Sequence, residues 1–500
     1  MGHKEICVHL CKSFPELAPA VDKEGETALH LSCRMGHREI CIYLCESYPA
    51  LATAVDNEGM TALYVSCLEG HKEICVYLCQ SYPALITAVD DKGMTALHAS
   101  CWKGHREICV YLSESYPALI TAVDNEEMTA LHVSCLEGHK EICVYLCKSY
   151  PALPTAVDEN GWTALHASCS NGHREICVYL CQSYPALITA VDDKGMTALH
   201  ASCWKGHREI CVYLSESYPA LITAVDNEEM TALHVSCLEG HKEICVYLCE
   251  SYPALITAVD NEEMTALHVS CLEGHKEICV YLCQSYPALP TAVDENGLTA
   301  LHVSCRKGHR EICVYLCQSY PALITAVDKN GRTALHVSCL EGHKEICVYL
   351  CESYPALITA VDNEEMTALH VSCLEGHKEI CIYLCKSFPD LVTAVDKNGR
   401  TALHASCFNG HKEICIYLCQ SYPALITAVD NKGMTALHAS CWKGHREICV
   451  YLSESYPALI KAIDHNGLTV FHVSCIYGHM EIFIYLLCKS FPALTAAAVD

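Results

Sequence analysis

The chain is 500 residues long and carries 33 Lys+Arg against 59 Asp+Glu, a formal charge of −26. That balance argues against a nucleic-acid partner, which needs a clustered basic face, and favours solubility and, weakly, basic partners. Forty cysteines would mark a disulfide scaffold in a small secreted chain, but Met1 opens no charged-then-apolar leader and no run of 18 apolar residues occurs, so no membrane insertion is expected and the thiols are expected free in a reducing compartment, cytoplasmic or nuclear.

Met1-Gly2-His3 matches Met35-Gly36-His37, so residues 1–21 read as a partial repeat without its first short helix. Residues 22–497 then read as about fourteen 34-residue repeats. They are marked by Thr-Ala-Leu-His at Thr27 and at every 34th residue to Thr435, with Tyr64 replacing His in the second copy and Thr-Val-Phe-His from Thr469. Residues 498–500 begin a further repeat, and residues 1–500 are expected to form a single array in which each unit buries its apolar face on its neighbours. Neither end carries a polar capping unit, so a partial gene product is expected. Residues 73–147 are identical to 175–249, so part of the sameness is block copying; it defines the pattern without ranking any residue.

Repeats are numbered 1–14 here, with the marker Thr as position 0. In repeat 7, Thr231 is a good N-cap for a short helix over Ala232–Glu239, which Gly240 closes because Gly takes left-handed backbone cheaply. A second helix over roughly Lys242–Glu250 places Glu243 in its first turn, where the helix dipole favours negative charge. Ile244, Cys245, Leu248 and Cys249 make its one buried stripe, and Lys242 and Glu243 a solvated face. Pro253 ends this helix, and Asp260-Asn261-Glu262-Glu263 forms a turn before the next Thr. Glu127, Glu229, Glu263 and Glu365 stand where other copies of this turn have Gly; if the position requires positive φ, these turns are the looser ones.

The pattern D-x-x-G-x-T-A-L-H-x-S-C-x-x-G-H-x-E-I-C resembles the ankyrin repeat, whose signature carries Thr-Pro-Leu-His and Gly-His at this spacing. The resemblance covers essentially the whole chain. It departs in Ala for Pro after the Thr, in Ser-Cys for the usual Ala-Ala, and in one extra residue per unit. It implies an all-α solenoid of stacked helix-turn-helix units with short projecting turns, in which the position-3 imidazoles tie neighbouring turns by hydrogen bonds. It also implies that turn tips and first-helix ends form a concave surface that grips partners.

The cysteines fall on positions 6, 14 and 18, apart from Cys488, which an extra Leu in the last repeat shifts by one. Cys at i and i+4 on one helix could face a soft metal, but Ser113, Ser215 and Ser453 interrupt the set and no C-x2-C pair occurs. They read as small core hydrophobes, and no metal is expected. Thirteen histidines stand at position 3 and fourteen at position 10, a lattice that singles out no catalytic constellation. With no Gly-rich phosphate loop and no His-Glu-x-x-His, neither enzymatic activity nor a cofactor is expected.

The repeats differ mainly at positions −4, −3 and −1, the turn tip, and at 7 and 8, the end of the first helix. All four tryptophans and ten of eleven methionines lie at −1, 7 or 8. Trp is enriched among interface anchors, and a row of soft Met side chains suits an adaptable surface. The candidate partner-binding residues are therefore Trp102, Lys103, Trp162, Trp204, Lys205, Met230, Leu238, Glu239, Phe408 and Trp442. The expected function is that of a monomeric protein-interaction scaffold or adaptor, binding a basic or extended protein through the concave face. The alternatives are the ankyrin region of a larger effector, such as a channel, ubiquitin-ligase adaptor or signalling protein, or a thiol or metal store.

Overall fold

The computed structural model describes residues 4–490, so the match of Met1-Gly2-His3 and the further repeat at 498–500 lie outside the described residues. Among the described residues there are 29 α-helices and no strand, and the chain divides into two compact units, Met1–Asp260 and Asn261–Asp500. In each unit a helix of seven or eight residues alternates with one of about ten, as in Ala198–Trp204 and Arg208–Ser217 in the first and Ala334–Leu340 and Lys344–Ser353 in the second. First helices pack on the first helices of adjacent repeats, and each second helix packs on its own first helix and on neighbouring second helices. A 3-10 turn opening on Pro, such as Pro219–Leu221, then leads into the hairpin-like turn.

That turn is organised by one carboxylate. Asp90 Oδ1 accepts from the backbone N–H of Lys92 at 3.0 Å and of Met94 at 2.8 Å. The tips are chained to each other: Asn125 N–H donates to Lys92 C=O, as Lys329 N–H does to Asn296 C=O, both at 2.9 Å. At its end the marker Thr caps the next helix, and His takes the place that Glu or Gln holds in the usual capping box. His98 N–H donates to Thr95 Oγ1, and Thr95 N–H donates back to His98 Nδ1 at 3.2 Å. The same ring then reaches the following repeat, Nε2–H donating to Met128 C=O at 3.0 Å.

A second imidazole ladder runs the other way. His139, at position 10, donates from Nε2 to Trp102 C=O at 2.9 Å, occupying a carbonyl that the end of a helix leaves unpaired. The close approach of this ring also explains the invariant Gly at position 9. Gly104 has φ +79°, and a Cβ there would stand 2.6 Å from the His139 ring.

In repeats 2–13 Leu131, Cys135, Ile142, Cys143 and Leu146 and their equivalents are buried. Lys72–Glu107 and Lys378–Glu413 pair between consecutive repeats on exposed helix faces, where such pairs contribute little. Tyr64 departs from the pattern: it fills the position-3 site with a buried hydroxyl that finds no hydrogen-bond partner, beside the Asp90 carboxylate. The Glu-bearing turns do require left-handed backbone, with φ of 58–59° at Glu127, Glu229, Glu263 and Glu365.

Two predictions follow from this wiring. Burial holds His98, His132, His166, His200, His302, His336, His370, His404 and His438 below the ordinary imidazole range, against a weaker upward pull from backbone carbonyls and nearby Asp carboxylates. The folded rings stay neutral while the unfolded chain takes up protons near pH 6.5, so stability is full above that pH and falls as pH drops through and below it. Each proton bound only by the unfolded chain costs about 1.4 kcal/mol per pH unit. The urea midpoint is expected to fall markedly from pH 7.5 to pH 5.5; equal midpoints would remove the neutral-ladder account. Glu127→Gly is expected to stabilise its turn by about 1 kcal/mol, read as increased amide-exchange protection at residues 124–128. Unchanged protection would show that the left-handed Glu carries no strain.

Candidate partner-binding groove

The side chains at the variable positions converge in grooves between turn tips and first-helix ends. In the first unit a groove of about 780 Å³ runs over repeats 1–3, floored by Met60, Tyr64, Leu68, Met94 and Trp102 and edged by Glu58, Glu69, Asp91, Lys92 and Lys103. A neighbouring hollow of about 410 Å³ shares Trp102 and adds Met128, Leu136 and Glu137. Met60 and Met94 are buried, so they line the groove's floor rather than its rim. The backbone carbonyl of a position −1 residue meanwhile accepts the imidazole ladder, as Met230 C=O does from His200 Nε2 at 3.1 Å.

Of the ten candidate residues, two groups are brought together. In the first unit Trp162 and Trp204 meet edge to face with ring centroids 6.1 Å apart, and Lys205 Nζ lies 3.7 Å over the Trp204 ring. Trp162 is partly committed to the scaffold, since its Nε1–H donates to Asp192 Oδ2 at 3.0 Å in the following turn. In the second unit Phe408 and Trp442 meet edge to face at 5.4 Å, and Tyr477 lies against Trp442 at 5.6 Å. The Trp102 ring carries its own neighbour, Lys103 Nζ, 4.5 Å from the ring centroid. Leu238 and Glu239 end the first helix of repeat 7, half-buried and exposed.

Lys103 and Lys205 were among the candidates, but three ring-bound cations of the second unit were not. Arg400 lies 4.9 Å over Phe408, Lys443 4.4 Å over Phe408, and Lys432 5.8 Å over Trp442. Their signal was available, because each occupies a position at which the repeats differ. An exposed β-branched residue at position −6 of every turn, valine in the first thirteen repeats and Ile463 in the last, was also missed. Val123 and Val157 flank an apolar hollow of about 500 Å³ with Ile120, Tyr150, Pro151 and Leu153, and Val361 and Val395 flank its counterpart of about 490 Å³.

The thiols occupy the core instead of a surface. Position 6 faces position 14 across the two helices of one repeat, with Cys67 and Cys75 Sγ 3.4 Å apart and Cys339 and Cys347 3.5 Å apart, and position 14 also meets the i+4 thiol of its own helix, as Cys75 does Cys79. Burial and the Cys313 charge push the Cys317 thiol up to about 12. Among the described residues no group of three or more His, Cys, Asp and Glu is arranged to hold a metal.

The family model for ankyrin repeats, in its three-copy form, matches this chain in ten overlapping placements, from residues 1–90 to 423–496. The chain is an all-α ankyrin solenoid and belongs to the ankyrin-repeat family, whose repeats are protein–protein interaction modules. No curated protein matches it. Among the described residues no helix is long and apolar enough to cross a membrane.

The thiol arrangement predicts a sharp contrast in labelling. Cys7, Cys475 and Cys488 are at least partly exposed and should react promptly with a thiol reagent in the native protein, the buried remainder only after denaturation. Prompt reaction of most of the 40 cysteines would overturn the core assignment.

Proposed function

We propose that this chain is a protein-interaction scaffold or adaptor, acting as a monomer in the cytoplasm or nucleus and gripping partner proteins in the groove between turn tips and first-helix ends. One observation carries the reading. The recurrent His, Gly, Asp, Thr and Cys are absorbed in capping, turns and core, whereas the residues that vary between repeats present half-buried aromatic rings with cations held on them. Half-buried Trp with a polar rim is the composition of binding hot spots, where ring burial supplies affinity and neighbouring contacts exclude water. Binding rather than catalysis fits a lattice in which, among the described residues, the same His and Cys contacts recur from repeat to repeat and single out no one place. The acidic edges formed by Glu58, Glu69 and Glu137 suit basic or extended segments over the early repeats.

The test is the triple substitution Trp102→Ala, Trp204→Ala, Trp442→Ala, followed by affinity capture and mass spectrometry. Partners should be lost while the helical circular dichroism stays unchanged, because all three rings lie outside the core. An unchanged partner set would remove the groove from consideration.

A further inference from the structure

Within the second unit, the groove face of repeats 12–14 has the opposite charge to the rest of an acidic chain. We infer that this patch binds an acidic peptide segment carrying an apolar or aromatic residue; the inference rests on the groove reading and names the ligand class for one stretch of it.

The charges decide this. At the turn tips and first-helix ends of repeats 12–14 the ionisable side chains are Lys397, Arg400, Lys432, Lys443 and His465, together with Asp396, Asp430 and Asp464. The three aspartates are buried, and the Oδ1 of each accepts two backbone N–H groups of its own turn. Lys397 is paired with Glu364 of the preceding repeat at 3.5 Å. Among the described residues no carboxylate pairs with Arg400, Lys432 or Lys443. Arg332 shows the alternative: it occupies the same turn position as Arg400 but lies 3.9 Å from Asp362 in the next turn. Arg400 turns onto the Phe408 ring instead, and its charge stays open.

The rings hold these cations without neutralising them. Cation–π contact fixes where an ammonium or guanidinium sits, while the positive charge remains available to a carboxylate. Phe408, Trp442 and Tyr477 form one continuous aromatic row beneath them, continued by Ile476, and Ile476 and Tyr477 are 61% and 50% exposed. A row of rings crossed by three cations matches a short peptide that alternates carboxylates with apolar anchors. Glu364, Glu365 and Glu375 of repeat 11 close the patch on one side and set where an acidic segment must stop. A nucleic-acid strand fits less well, since it needs a continuing basic track, and a chain of net charge −26 repels a polyanion at long range.

The experiment is fluorescence anisotropy on the full chain with three labelled probes of equal length: an alternating Glu/Leu peptide, an alternating Lys/Leu peptide and a single-stranded oligo-dT. The Glu/Leu peptide should bind, and Arg400→Gln with Lys432→Gln and Lys443→Gln should weaken it tenfold or more, with affinity falling as salt is raised. Lys72→Gln with Lys140→Gln, on exposed helix faces outside the groove in the other unit, should leave its affinity unchanged. Failure of the Glu/Leu peptide to bind, indifference to the triple Gln variant, or tighter binding of oligo-dT would each overturn the proposal. If the peptide fails while the tryptophan variants still lose their captured partners, only this inference falls; if the partner set is unchanged as well, the groove reading falls with it.

Discussion

The constraint on which everything else depends is the neutrality and tautomer of the imidazoles. A position-3 ring must accept at Nδ1 from the capping Thr and donate at Nε2 to the next turn, and it can do both only while uncharged with its proton on Nε2. One side chain thus starts a helix and joins two repeats. The position-10 ring joins them again in the opposite direction, ending one first helix from the repeat that follows. Short first helices of seven or eight residues would be marginal alone. They persist because both ends are tied by side chains of fixed geometry and one face is buried against like helices. The same logic makes Tyr64 costly, since a phenol at this site supplies no Nδ1 acceptor and its own buried hydroxyl finds no partner.

This wiring consumes residues that would look like chemistry in another context. An imidazole next to a buried threonine and a carboxylate, or a pair of thiols 3.4 Å apart, would draw attention in an enzyme. Here the same contacts recur from repeat to repeat, each with its hydrogen-bonding capacity spent on backbone or its thiols shielded in the core. Function is pressed outward to positions at which the backbone makes no demand on the side chain. Trp162 marks the boundary between the two, because its ring is offered to the groove while its indole N–H is used by the turn of the next repeat.

Most of the fold was legible because it rests on local stereochemistry. Thr caps, Gly at position 9, Pro after the second helix and the left-handed Glu positions each follow from short-range rules, and each stands in the structure where the pattern placed it. The thiol pairing was not legible. Position 14 meets position 18 one turn along its own helix, as the spacing implies, but its contact with position 6 is set by how the two helices of a repeat cross. The valines escaped for a related reason. A β-branched residue next to a turn reads as core, but the antiparallel bridge from Val225 to Thr231 turns that side chain outward at the base of the hairpin.

The cations on the aromatic rings sharpen what the groove positions can do on an acidic chain. A free surface lysine loses about 2 kcal/mol of side-chain entropy when a partner immobilises it, which offsets much of what a solvated ion pair gains. Lys205 on Trp204 and Lys443 on Phe408 have part of that ordering done before any partner arrives. The ring also lowers local hydration of the ammonium without supplying a counter-charge, so a carboxylate that lands there meets a cation that is ordered, partly dry and unpaired. Lys72 and Lys378, paired with Glu across repeats on exposed helix faces, have no such advantage. Charge that merely solubilises the array and charge poised for recognition are thus distinguished by what lies beneath each cation, not by its sign.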